Sequence, residues 1–209
     1  MSPLDDIRTQ LIDGHHQQVR ALTETALASG VKAEEILSQA LLPGMEVIGE
    51  RFRAHEVFLP AVLLAARAMH AGLDLLRPHL EGGNLPSRGT VVIGSVEGDL
   101  HDIGKNLVGI MLRGGGFNVV DLGHSVSPDS FVAAAREHNA AVVGMSALLT
   151  TTMPVMARVV QALQAAGLGS VKTVIGGAPV SDAYAQEIGA DGYGYDAASA
   201  TQIVRGWLA

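Results

Sequence analysis

The sequence predicts a helical N-terminal domain followed by a five-stranded parallel α/β domain. Three observations carry this expectation. Residues 3 to about 80 place apolar side chains at helical spacing throughout. Residues 81–89, Glu-Gly-Gly-Asn-Leu-Pro-Ser-Arg-Gly, then break the pattern with turn formers. Beyond them, short β-branched runs alternate with helical patterns to the end of the chain. The expected boundaries are 1–83 for the helical domain and 88–209 for the α/β domain.

The helical part divides into four segments. Leu4, Ile7 and Leu11 give one stripe, and Val19, Leu22 and Ala26 give a second that Gly30 closes as a C′ residue. A third runs from about Ala33, with Ile36, Ala40, Leu41, Val47, Ile48 and Phe52 facing inward. The fourth has Pro60 in its first turn and Leu63, Ala66, Met69, Leu73 and Leu76 as its apolar face. Four helices on short loops make a bundle, and by pattern alone its Met and Phe residues are core.

In the second part, strands fall at about 90–95, 118–121, 141–144, 172–176 and 191–194. Helices fill the gaps at about 102–113, 128–138, 152–166 and 181–188, and a last one ends near Leu208. Short connections between them imply a parallel sheet covered on both faces, of the flavodoxin-like (Rossmann-like) order 2-1-3-4-5. That order puts a switch point between the first and third strands. The loops 96–102 and 145–152 therefore flank one crevice at the carboxyl edge, where ligands bind.

The first of these loops carries the chemistry. In Gly98-Asp99-Leu100-His101-Asp102-Ile103-Gly104-Lys105-Asn106, two aspartates and a histidine sit between a buried strand and a helix N-terminus. The following helix sets Ile103, Leu107, Ile110 and Met111 on one face. On an extended turn, residues i and i+2 point the same way, so Asp99 can accept the second N–H of His101. A metal-bound histidine has such a partner, which fixes its tautomer and raises its basicity. Asp102 reads as the N-cap of the next helix, and Gly104 leaves room beside the histidine. The loop after strand three, from Ser146 to Thr152, is dense in hydroxyls. Either Ser146 or Thr152 can donate to Asp99, while a capping role is equally open for Thr152. After strand four, Gly176-Gly177-Ala178-Pro179 lets a bulky ligand approach the backbone.

Several classes are disfavoured by the same residues. The net charge of −7 argues against a nucleic-acid partner. Without cysteine there are no disulfides, thiolate zinc sites or cysteine nucleophiles. The longest apolar run, Ala61 to Ala66, is too short for a bilayer, and the start Met1-Ser2-Pro3-Leu4-Asp5-Asp6 has no basic n-region, so a cytoplasmic protein without a membrane partner is expected. A phosphoacceptor domain needs an aspartate where Gly144-Met145-Ser146 ends strand three. No Walker A run or Gly-x-Gly-x-x-Gly follows a strand, and Gly114-Gly115-Gly116 is a helix C-cap. A zinc or iron site from His101, His124 and Asp99 ranks low, because strand two lies beyond strand one from the crevice.

The run Gly98–Asn106 resembles the cobalamin-binding signature Asp-x-His-x-x-Gly of methyltransferase corrinoid proteins and of cobalamin-dependent methionine synthase. The resemblance extends to Ser146-x-Leu148 and Gly176-Gly177, the other two cofactor loops. It also covers Met45-x-x-Ile48-Gly49-x-x-Phe52, Phe58-Leu59-Pro60 and Ala65-Ala66-x-Ala68-Met69, which look like the family's helical cap.

The resemblance implies a cobalamin cofactor, methylcobalamin or a related corrinoid, with His101 as the lower ligand of cobalt and Asp99 holding its other nitrogen. The displaced nucleotide tail would pass Ser146, Thr150 and Gly176-Gly177, with Gly98, Leu100, Asp102, Ile103, Gly104 and Leu148 also against the cofactor. Thr152 stands where the methionine synthases have a relay serine, so Asp99, His101 and Thr152 form the expected relay. Phe52 and Leu59 correspond to residues that shield the upper face. Asp196 and Ala197 match the last cofactor loop; Tyr193 and Tyr195 depart from it. The function implied is a methyl carrier, the corrinoid subunit of a cobalamin-dependent methyltransferase system that is not catalytic without its partners: a substrate-specific methyltransferase, a second methyltransferase acting on tetrahydrofolate or a similar acceptor, and a reductive activator. The alternative is a cobalamin-dependent sensor working through a partner protein; the only tryptophan, Trp207, is outside the cap where such sensors often carry one.

Overall fold

A computed structural model describes residues 2–80 and 87–208. Residues 81–86 of the expected linker lie outside the described residues. The chain divides into two compact units, Met1–Pro86 with Gly114–Gly116, and Ser87–Arg113 with Phe117–Ala209.

The first unit is helical. It comprises α1 (Pro3–Ile12), α2 (His16–Ala28), α3 (Ala33–Ile36), a π-helical turn (Leu37–Leu41), α4 (Leu42–Arg53), α5 (Leu59–Leu76) and a 3₁₀ turn (Arg77–His79). Ser2 and Asp5 cap the first helix reciprocally. The third segment expected from the sequence is thus interrupted by a π turn, in which the Leu42 N–H reaches back to the Leu37 carbonyl. The reason is Pro43, which has no N–H for the carbonyl of Gln39; the widened turn takes up the mismatch. Ile7, Leu11, Val19, Ile36, Leu41, Ile48, Met69 and Leu76 form the core. On α5 the buried stripe is Val62, Ala65, Ala66, Met69, Gly72 and Leu76, while Leu63, expected inside, is exposed. Gly72 explains the shift: a Cβ there would press on Leu41, so this is the line along which a neighbouring helix comes close. Leu59–His79 is long and apolar enough to cross a membrane by length and composition. Its apolar stripe is spent on α2 and the rest of the bundle.

The second unit alternates β1 (Thr90–Ser95), α6 (Ile103–Gly114), β2 (Asn118–Asp121), α7 (Pro128–Glu137), β3 (Val142–Ser146), α8 (Pro154–Ala165), β4 (Lys172–Gly176), α9 (Asp182–Ile188), β5 (Gly192–Gly194) and α10 (Ala197–Trp207). The five strands are parallel in the expected order 2-1-3-4-5. One core, around Val92, Phe131, Val143, Met156 and Leu163, fills one face of the sheet. The other, around Val91, Ile93, Leu112, Phe117, Val174 and Val204, fills the opposite face. Alternation of Val91, Val92 and Ile93 between the two is why β1 reads as an unbroken β-branched run.

Two expectations change here. β3 runs on to Ser146, which pairs with Ser95, so Ser146 ends the strand rather than opening the loop. On α6, the side against the sheet is Lys105, Gly109 and Leu112, and Ile103 is 77% exposed. Gly109 decides this, because a Cβ there would stand 2.9 Å from Ile93; the smooth side of the helix is the side that packs.

Candidate functional site

β1 and β3 end side by side, and the polypeptide leaves them in opposite directions at the switch point. Asp99 sits where the two loops meet. Its side chain has no solvent exposure. One carboxylate oxygen accepts the His101 backbone N–H at 3.0 Å and faces His101 Nδ1 at 2.9 Å. The other accepts the Leu148 N–H at 2.7 Å, the Leu149 N–H at 3.3 Å and the Thr152 hydroxyl at 2.8 Å. Burial pushes the Asp99 carboxyl up, yet the donors from Leu148, Thr152 and His101 outweigh it and hold the group well below the usual carboxylate range. Asp99 is therefore a fixed anion with every lone pair engaged.

The consequence falls on His101. With an anion at Nδ1, that nitrogen carries the proton, so Nε2 presents its lone pair outward on a ring that is 53% exposed. The backbone is held as firmly. Ser95, fully buried at the end of β1, donates its hydroxyl to the His101 carbonyl at 2.6 Å. This residue was missed in the sequence, although a serine inside a buried β-branched run needs a partner and so was a usable signal.

Thr152 is the hydroxyl that reaches Asp99; Ser146 lies elsewhere, in the lining of a cavity. Thr152 also donates to the Leu149 carbonyl, and α8 begins after Met153 with no side-chain cap, so Thr152 does not cap that helix. Asp102 begins α6 through its carbonyl, which accepts the Asn106 N–H at 2.7 Å. No hydrogen bond of its carboxylate is found among the described residues. Gly98 adopts φ 83°, a conformation glycine enters without strain.

Beside this cluster a cavity of about 460 Å³ opens at the carboxyl ends of β1, β3, β4 and β5. Gly104, Ser146, Gly176, Gly177, Asp196 and Ala197 all line it. A Cβ on Gly104 would meet nothing within 4 Å. Gly177 has a different reason to be glycine. At φ 132° its Cβ would stand 1.8 Å from the Ala147 carbonyl oxygen, so it lets the loops after β3 and β4 touch rather than admitting a ligand. A Cβ on Gly176 would likewise stand 3.0 Å from the Gly194 carbonyl oxygen. Lys105, Tyr193 and Tyr195 also line the cavity. The Lys105 ammonium is buried and bound to both Asp121 oxygens and to Asn106, so it is a structural charge.

Beside His101, Leu100 is 68% and Ile103 77% exposed, and Leu148 and Leu149 are exposed on the loop that binds Asp99. Thr150 is exposed on the same loop as Leu148. Phe52 and Leu59 belong to the first unit, half-buried at the end of α4 and the start of α5.

This donor set fits one kind of metal group. Among the described residues no three His, Asp or Glu side chains converge to hold a bare ion. A single outward imidazole with a fixed tautomer instead suits a metal that brings its other ligands in a macrocycle. The apolar rim suits the flat face of such a ring, and the cavity suits a long substituent hanging from it.

Comparison with known proteins gives the same answer. A B12 binding domain model matches residues 89–202, and a second B12 binding domain model matches residues 3–77. The chain is 39% identical to a corrinoid protein of Desulfitobacterium hafniense over 97% of its own length and 96% of that protein's. It is 45% identical to trimethylamine corrinoid protein 1 of Methanosarcina mazei over 86% of its length and 83% of the relative's. Among solved structures, it matches the methanol:cobalamin methyltransferase complex MtaBC of Methanosarcina barkeri with a TM-score of 0.90 at 31% identity, covering 99% of this chain and 79% of that one. A cobalamin-binding protein from Desulfitobacterium hafniense matches with a TM-score of 0.81 at 33% identity, over 99% and 98% of the two chains. With both units matched and relatives spanned almost end to end, the chain belongs to the family of B12-binding corrinoid proteins.

Proposed function

We propose that this protein carries methyl groups on a bound cobalamin between a substrate-specific methyltransferase and a second methyltransferase acting on tetrahydrofolate or a similar acceptor. The observation that carries the reading is His101: Nδ1 held by a buried anion, Nε2 outward, and an apolar rim around it. Bound there, the corrinoid supplies the metal to which a methyl group attaches and from which it leaves.

The residues of this chain bind and tune. His101 Nε2 would ligate the cobalt, and Asp99 and Thr152 fix the tautomer that leaves its lone pair free to do so. Asp99, 2.9 Å from Nδ1, also holds the ring in one orientation. Ser146, Gly176, Gly177, Asp196 and Ala197, which line the cavity with Gly104, would hold the tail of the cofactor, and Gly98, Leu100, Asp102, Ile103, Leu148 and Thr150 would bind it from the neighbouring loops.

The methylated compounds in the relatives' names, trimethylamine, dimethylamine and methanol, are small, and the partner enzyme rather than this chain selects among such donors. A reductive activator completes the set of partners, in the cytoplasm. The sensor reading is not favoured, because relatives spanned over 93% and 92% of their length are corrinoid proteins named for trimethylamine and dimethylamine. The test is reconstitution with hydroxocobalamin. The bound cofactor should show a histidine-ligated absorption spectrum that His101→Ala abolishes, and the loaded protein should accept a methyl group from a partner methyltransferase. An identical spectrum in wild type and His101→Ala removes the assignment.

A further inference from the structure

Ser125, in the loop between β2 and α7, grips the backbone of the histidine loop twice. Its N–H donates to the Asp99 carbonyl at 3.0 Å, and its hydroxyl accepts the Gly98 N–H at 3.1 Å. It does so from the left-handed region, at φ 52°, where few residues other than glycine sit without strain. The loop is aligned for this by a parallel bridge between Val96 and Val126 and by bonds from Ser95 N–H to the Gly123 carbonyl and from Val126 N–H to the Ser95 carbonyl. The position is exposed, so its identity is not dictated by packing.

Asp99 is consequently held from two sides. Leu148, Leu149 and Thr152 hold its carboxylate from the loop after β3, and Ser125 holds its carbonyl and the preceding Gly98 N–H from the loop after β2. A glycine at 125 would adopt the same backbone freely but would have no acceptor for the Gly98 N–H. A serine that tolerates strain in order to keep that acceptor is a device for fixing the loop. We infer that Ser125 is a positioning residue for the Asp99–His101 pair, acting on corrinoid binding through His101; this rests on His101 being the cobalt ligand.

The test uses the full chain with Ser125→Gly, Ser125→Asn, His101→Ala and the double variant, measuring apo melting by circular dichroism, hydroxocobalamin affinity and the spectrum of the bound corrinoid. Ser125→Gly should melt no lower than wild type, because it relieves the backbone. It should nevertheless bind hydroxocobalamin about five-fold more weakly, the size of one neutral hydrogen bond, with a smaller histidine-ligated share. Ser125→Asn, which tolerates the left-handed region and restores an acceptor, should recover both readouts. In the His101→Ala background Ser125→Gly should have no further effect. Wild-type affinity and spectrum in Ser125→Gly, or equal weakening with and without His101, would overturn the inference while leaving the His101 reading intact. A wild-type spectrum in His101→Ala would overturn both.

Discussion

Replacing Asp99 with asparagine tests the centre of the site with the smallest change of shape. The carboxylate accepts from Leu148, Leu149 and Thr152 on one oxygen and from the His101 backbone and ring on the other. An amide has only one oxygen. If that oxygen stays with Leu148 and Thr152, the amide nitrogen faces two donors at His101. The imidazole can then keep a bond only by moving its proton to Nε2, which makes that nitrogen useless as a ligand. The opposite flip sets the amide against three donors and is worse.

Either way at least two bonds to a buried anion are lost, each worth about 1.5–3 kcal/mol, so the folded state loses roughly 3–6 kcal/mol. For a protein of this size that lowers the melting temperature by on the order of 10 °C. The pH dependence has a definite sign. The folded pKa lies below the ordinary carboxylate value, so the contribution is complete above about pH 4 and is lost as pH falls further. The deficit of Asp99→Asn should therefore be full at neutral pH and shrink in acid. Differential scanning calorimetry of the apoprotein from pH 3 to 7, with the spectrum of added hydroxocobalamin, measures both halves. A variant that melts like wild type at pH 7 and still shows histidine ligation would refute the reasoning.

The remaining expectations are narrower. Thr152→Val keeps the shape but removes the donor 2.8 Å from Asp99, and should cost about 1–2 kcal/mol by chemical denaturation, with Thr152→Ser recovering most of it. Gly177→Ala forces a Cβ to within 1.8 Å of the Ala147 carbonyl at φ 132°, so the β3 and β4 loops must separate; a loss of more than about 3 kcal/mol in urea unfolding is expected, and a mild effect would show that the loops are not locked. Asp191 is raised by burial but lowered further by Lys172 and the Thr173 N–H and hydroxyl. Asp191→Asn should lower stability by about 1–2 kcal/mol at neutral pH, and this deficit should fade below about pH 4, which acid titration of urea midpoints will show.

The site was legible to the extent that chemistry follows from spacing. Asp99 and His101, two apart on a turn, are paired because an extended turn leaves them no other arrangement. Thr152 was one of two candidates, since fifty residues separate it from Asp99 and only the packing of α8 decides which hydroxyl arrives. Ser95 and Ser125 were not seen as part of the site. Both act on backbone groups, and neither a carbonyl 2.6 Å away nor a left-handed φ leaves a mark on residue spacing.

The sequence by itself determined the order of elements, the parallel sheet and the crevice. Strand and helix periodicities are local, and right-handed crossovers between short connections leave few alternatives. It also determined the charge and donor inventory of the histidine loop. Tertiary structure alone decided which face of α6 packs, because Gly109 yields to Ile93 only once the helix lies on the sheet, and this frees Ile103 for the rim. It alone decided why Gly177 is glycine, since the obstructing carbonyl belongs to another loop. Periodicity states what each segment can bury; how closely two segments approach is a property of the pair.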